Sequence, residues 1–71
     1  MGNTITKHQH EILSQIKAYI DQYGFAPTRK ELAFLFNVTP QAIQQTIMDL
    51  EVAGKIKVEH NKERGIEVVN D

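Results

Sequence analysis

Thr39, Gln41, Gln44 and Gln45 stand close together in the stretch NVTPQAIQQTIMDL, Asn37 to Leu50. A glutamine amide sets an acceptor oxygen beside a donor nitrogen, the pair that matches N6 and N7 of adenine in the DNA major groove. A threonine hydroxyl reaches either a base edge or a phosphate oxygen. The only formal charge before Leu50 is Asp49, late in the stretch. Phosphates repel acidic groups, so a reading segment keeps them away from its start. The chemistry these residues offer is base recognition. The competing readings are amides that merely solvate an exposed face, or amides that line a protein groove together with the apolar Met48.

A second set of residues suits phosphate. Thr28, Arg29 and Lys30 fall at an expected helix start, where free N–H groups and the helix dipole favour anions. Lys55, Lys57, Lys62 and Arg64 gather near the C-terminus. Net charge is −1, lower than many small nucleic-acid binders carry. Its distribution is uneven, which matters more than the sum. The cations occupy residues 7–30 and 55–64, and Glu31, Asp49, Glu51, Glu67 and Asp71 supply the acidic excess. Each cation is as readily a solvated surface group as a phosphate contact.

Catalytic and metal chemistry finds little here. The chain has one serine, Ser14, and no cysteine. His8 and His10 are two apart, so on a helix they diverge and do not chelate together; His60 sits in a polar loop. All three read as solvated, and no glycine loop offers to cradle phosphate. No cofactor is expected. Nor is a membrane span, because no apolar run is long enough. The N-terminus shows no signal pattern, so the expected setting is cytoplasmic, of a bacterial or phage-type protein, and the sequon Asn37-Val38-Thr39 is incidental.

Seventy-one residues, 41% hydrophobic, make one domain with a thin core, and the whole span 1–71 is expected to be that domain. Thr6 with Gln9 and Thr28 with Glu31 form capping boxes, and Thr39-Pro40 caps a third helix. Helices are expected over about 6–23, 28–36 and 40–53. Ile12, Leu13, Ile16, Tyr19, Ile20 and Tyr23 make the apolar stripe of the first. Leu32, Ala33, Leu35 and Phe36 make the second apolar, and Ile43, Ile47 and Leu50 anchor the third. Gly24, Asn37 and Gly54 end them. Period two then sets in. Ile56 and Val58 alternate with lysines, Ile66 and Val68 flank Glu67, and a hairpin over about 55–69 is expected with His60–Arg64 as its polar tip.

Ala33, Phe36, Asn37, Val38, Ile43 and Ile47 fall at the spacing a helix–turn–helix requires. A small residue sits where the helices cross, a turn residue follows, and an apolar plug fills the angle. With the hairpin behind it, the fold class is mainly α with a small β-hairpin, a winged helix–turn–helix. The alternative is a three-helix bundle whose turn only looks this way.

The segments TKHQHEILSQIKAYIDQYGFAPTRKELA, LEVAGKIKVEH and RGIEVV resemble the N-terminal DNA-binding domain of LexA-type repressors. Glu11-Ile12-Leu13, Gly24, Pro27-Thr28-Arg29, Glu31, Leu50, Gly54-Lys55-Ile56 and Arg64-Gly65-Ile66 carry the likeness across nearly the whole chain. The resemblance implies a winged helix that binds operator DNA. LexA-type repressors often carry one more residue between the second and third helices, so their operator specificity does not transfer. Their self-cleaving Ser-Lys domain, which also dimerises them, does not occur in these residues. The resemblance therefore implies either an excised domain or a short stand-alone regulator.

The expected function is sequence-specific binding of double-stranded DNA by a repressor-like transcriptional regulator, not an enzyme. Thr39, Gln41, Gln44 and Gln45 are the expected base readers; Thr28, Arg29, Lys30, Lys55, Lys62 and Arg64 are the expected phosphate contacts. A homodimer on a palindromic site is an expected assembly. The alternative is a protein-interaction winged helix that modulates a regulator or polymerase.

Overall fold

Each of the three helices starts at a threonine. In the computed structural model, which describes residues 5–69, the hydroxyls of Thr6, Thr28 and Thr39 accept from the backbone N–H of Gln9, Glu31 and Ala42, all at 3.1 Å. These bonds satisfy donors that a helix start otherwise leaves free. The helices are α1 (Lys7–Tyr23), α2 (Arg29–Phe36) and α3 (Pro40–Val52). The expected starts at 6 and 28 are the capping residues themselves, one position outside each helix. Residues 1–4 and Asn70–Asp71, included in the expected single domain, lie outside the described residues.

Left-handed residues cap α1 and α2, and one follows the cap of α3. Gly24 takes φ 83° and its N–H donates to the Ile20 carbonyl at 2.8 Å. Asn37 takes φ 56°, the only positive φ among the described non-glycine residues. The Val38 N–H behind it donates to Ala33 O at 3.0 Å, which fixes the tight turn between α2 and α3. α3 caps on Ala53 at φ −73°, and Gly54 behind it turns the chain at φ 77°, with Lys55 N–H on Leu50 O at 3.0 Å.

The chain then forms an antiparallel hairpin, β1 (Ile56–Val58) and β2 (Ile66–Val68), in the register Ile56↔Val68, Lys57↔Glu67, Val58↔Ile66. Alternation places Ile56, Val58, Ile66 and Val68 on one face. Ile56 and Ile66 are buried, and the two valines pack on the core at partial burial. The core is small: Ile12, Leu13, Ile16, Ala26, Leu32, Ala33, Ile43, Ile47, Leu50, Ile56 and Ile66. Ile20, Phe36 and Val38 pack against its edge.

Two expectations about the stripes need correction. Tyr23 is 52% exposed, because it lies on the last turn of α1, past the buried residues Ile12, Leu13 and Ile16 of the stripe. Leu35 is 51% exposed and Phe34 86%, so α2 buries only one narrow face. Tyr23 stacks instead with Tyr19 and Phe25, with centroids 4.5 Å and 6.1 Å away.

Candidate nucleic-acid interface

α3 is held by Ile43, Thr46, Ile47 and Leu50, all buried. Thr46 meets its polar need within the helix, its hydroxyl donating to Ala42 O at 3.2 Å. At 3.6 residues per turn, the side directly opposite carries Gln41, Gln45, Met48 and Val52. All four are exposed, with Val52 at 89%. Gln44 is half-buried on the flank of this ridge, between the core side and the solvent side. Gln44 was expected to read bases on equal terms with its neighbours; the structure gives the outermost places to Gln41 and Gln45. Thr39 is exposed at the start of the ridge. Its oxygen accepts from Ala42 N–H, which leaves the hydroxyl proton to donate elsewhere.

The amide of Gln45 has a partner on its own helix. Its Nε2 donates to Asp49 Oδ1 at 3.1 Å, and Gln9 Nε2 of α1 donates to the other oxygen, Oδ2, at 2.9 Å. Asp49 was read from sequence only as a late acidic residue away from the bases. Its role as a link between α1 and α3 rests on a contact across 40 positions that no local pattern records.

The expected phosphate residues fall into three situations. Thr28 is half-buried and committed to the α2 capping box. Arg29 occupies the first position of α2, where a cation opposes the helix dipole, so helix stability does not explain it. It makes no ion pair among the described residues, and its Nε is shielded from water with no partner. Lys30 beside it is exposed. On the hairpin, Lys62 is exposed and only 3.8 Å from Glu59, a pair that water weakens. Lys55 is half-buried at the start of the hairpin, and Lys57 faces out opposite Glu67. His60 comes within 3.7 Å of Glu51 on the last turn of α3.

Arg64 is in a third situation, unlike the free wing-tip cation expected from sequence. Its guanidinium grips Glu31 with both terminal nitrogens, at 2.8 Å and 2.9 Å. It also donates to the Ala26 carbonyl at 2.9 Å and lies 4.7 Å from the centre of the Phe25 ring. Glu31 Oε1 additionally accepts from Thr28 N–H at 2.8 Å and the Tyr19 hydroxyl at 3.1 Å. The hydrogen bonds from Arg64, and then that from Thr28, hold the Glu31 carboxyl down at about 2, against an ordinary value near 4.5. The same pairing raises Arg64 above its usual range. One carboxylate thus fixes the hairpin tip to the start of α2. Arg64 was expected to face DNA because it sits in a charged loop. The bidentate partner, 33 positions away, occupies the atoms a phosphate would need.

A close approach shapes the base of the wing loop. Glu59 N–H donates to Gly65 O at 2.8 Å, and a Cβ on Gly65 would collide with the Glu59 carbonyl oxygen.

Residues 2–65 match the family described as the LexA DNA binding domain. The chain is 35% identical over 68 residues to a LexA repressor of Bifidobacterium longum (strain DJO10A), covering 94% of this chain and 28% of that one. It is 31% identical over 71 residues to a LexA repressor of Finegoldia magna, covering 99% of this chain and 34% of the relative. A LexA repressor of Thermotoga neapolitana matches at 31% over 64 residues, 90% of this chain and 32% of the other. The chain thus spans about a third of the length of these relatives. The helix–turn–helix, the wing behind it and this agreement along the chain have one meaning: the protein belongs to the LexA DNA-binding-domain family.

Proposed function

We propose that this chain binds double-stranded DNA at specific sequences as the reading module of a transcriptional repressor, with α3 in the major groove and the hairpin along the backbone. The observation that carries this reading is the exposed ridge of α3. It opens with Thr39, Gln41 and Gln45, has no charge in its first two turns, and is presented by a helix–turn–helix whose buried side is fully packed. A major groove about 12 Å wide admits such a helix, and its amides then meet base edges. Gln41 and Gln45 take the central positions and Gln44 a flanking one. Arg29, Lys30 and Lys62 contact phosphates, Thr39 donates its proton, and the Thr28 hydroxyl and the Lys55 ammonium lend side-chain contacts at the margins. Arg64 is reassigned: it holds the wing at the angle from which Lys62 reaches the backbone. Homodimers on a palindrome fit a module of this size, since one α3 covers only one half-site.

The lower half of the same ridge, Met48 and Val52, is apolar, and this favours a second reading in which α3 docks on a protein. Salt separates the two. Duplex DNA binding weakens steeply from 50 to 200 mM salt as counterions are released, whereas an apolar protein contact does not. Titration of the protein against a mixed-sequence duplex at several salt concentrations is the test. A flat response removes the DNA reading.

A further inference from the structure

Both oxygens of Asp49 accept from glutamine amides, one from α1 and one from the reading face of α3. The α1 partner, Gln9, is itself fixed. Its Oε1 accepts from Thr6 N–H at 3.0 Å, and its own N–H donates to the Thr6 hydroxyl at 3.1 Å. The capping box of α1 therefore orients the Gln9 amide, Gln9 orients Asp49, and Asp49 orients Gln45. A carboxylate only accepts, so the Gln45 amide must turn its nitrogen towards Asp49. Its Oε1 and one remaining N–H then stand exposed on the outer ridge.

We infer that Asp49 is a positioning residue for base recognition, holding the Gln45 amide in the single orientation that presents an acceptor and a donor to an adenine edge. This rests on the reading of Gln45 proposed above. A free glutamine has three rotatable bonds and two amide orientations, and ordering it on binding costs side-chain entropy. Asp49 has ordered it beforehand. The negative charge of Asp49 opposes phosphates, so it adds nothing to general affinity for DNA. Its effect is confined to discrimination at the base pair that Gln45 faces.

The test uses the duplex selected by the wild-type chain from a random pool, and every single-base-pair variant of it. Affinities are measured for Gln45→Ala, Asp49→Ala, Asp49→Asn and the double variant Gln45→Ala/Asp49→Ala, each first checked for wild-type helix content by circular dichroism. Asp49→Ala is expected to lose about 3- to 10-fold in discrimination at the position that Gln45→Ala relaxes, the scale of one oriented hydrogen bond. Binding to a duplex without the site should not weaken. Asp49→Asn retains one acceptor oxygen and should keep more of the discrimination than Asp49→Ala, although both lose the charge. In the Gln45→Ala background, removing Asp49 should change nothing further at that position. Discrimination left intact by Asp49→Ala while Gln45→Ala abolishes it overturns the positioning role alone. An equal loss at all positions makes Asp49 a plain structural link and also overturns it. If Gln45→Ala leaves every preference intact, the reading of Gln45 fails and the positioning role fails with it.

Discussion

Arg29 and Arg64 look interchangeable in sequence, yet the structure predicts that their removal has different effects on DNA binding. Each phosphate neutralised contributes about 0.9 to the slope of log affinity against log salt. Arg29 makes no ion pair among the described residues and stands at a helix start, so Arg29→Ala should lower the slope by about 0.9. Between 50 and 200 mM salt, a slope of that size corresponds to a change of about 3- to 4-fold. The Arg29→Ala deficit should therefore shrink by that factor as salt rises across the range. Arg64 spends its charge on Glu31 through two hydrogen bonds, so Arg64→Ala should leave the slope where it was. Its effect should be a lower melting temperature and a uniform loss of affinity at every salt concentration, because the wing is no longer tied to α2. Glu31→Gln breaks the same pair while keeping the cation, and it too should not lower the slope. The assay is fluorescence anisotropy of a labelled duplex at five salt concentrations, below the melting temperature of each variant. A fall of about one unit for Arg64→Ala, equal to that for Arg29→Ala, would refute the reasoning. It would mean that the clamp opens on DNA and Arg64 passes to a phosphate.

Other expectations concern the scaffold. Ile56 is 2% exposed, so Ile56→Ala should cost about 2–5 kcal/mol by chemical denaturation. A core this small supplies only about 3–5 kcal/mol in total, so much of that variant should be unfolded at 25 °C; a cost under about 1 kcal/mol would show that the wing does not share the core. Gly65→Ala should destabilise by about 1–3 kcal/mol through the clash with Glu59, and unchanged stability would mean the loop relaxes freely. Glu31 is held at about 2 when folded against about 4.5 when not, so the unfolded chain takes up the proton first. Its contribution is present above pH 4.5 and lost as pH falls towards 2. Arg64→Ala should flatten that part of the stability profile; an identical acid profile in the variant would deny the pairing.

Local pattern carried most of the architecture. Thr28 with Glu31, Asn37 at the turn, and the change from period four to period two after Gly54 are short-range signals, and each has its physical counterpart in the fold. The helix–turn–helix residues Ala33, Ile43 and Ile47 are buried as their spacing demands. What stayed illegible depends on long side chains that reach across the molecule. Arg64 and Glu31 are separated by 33 positions and Gln9 and Asp49 by 40. Nothing in a charged loop says that one arginine is spoken for and its neighbour Lys62 is not. Sequence does not rank the glutamines either, because Gln44 and Gln45 differ by one helical step. Only the packed direction of α3 decides which is outermost. The exposure of Phe34 and Leu35 likewise depends on how little of the short α2 its neighbours cover.

The most direct test of base reading by α3 is selection from a random duplex pool, run in parallel with the wild-type chain and with the triple variant Gln41→Ala/Gln44→Ala/Gln45→Ala. The wild type should recover a defined site. The triple variant should still bind DNA with the same salt slope, yet recover a degenerate pool, because phosphate contacts survive and base contacts do not. Recovery of the same site by both proteins would contradict the account, since the sequence would then be read by something other than this helix.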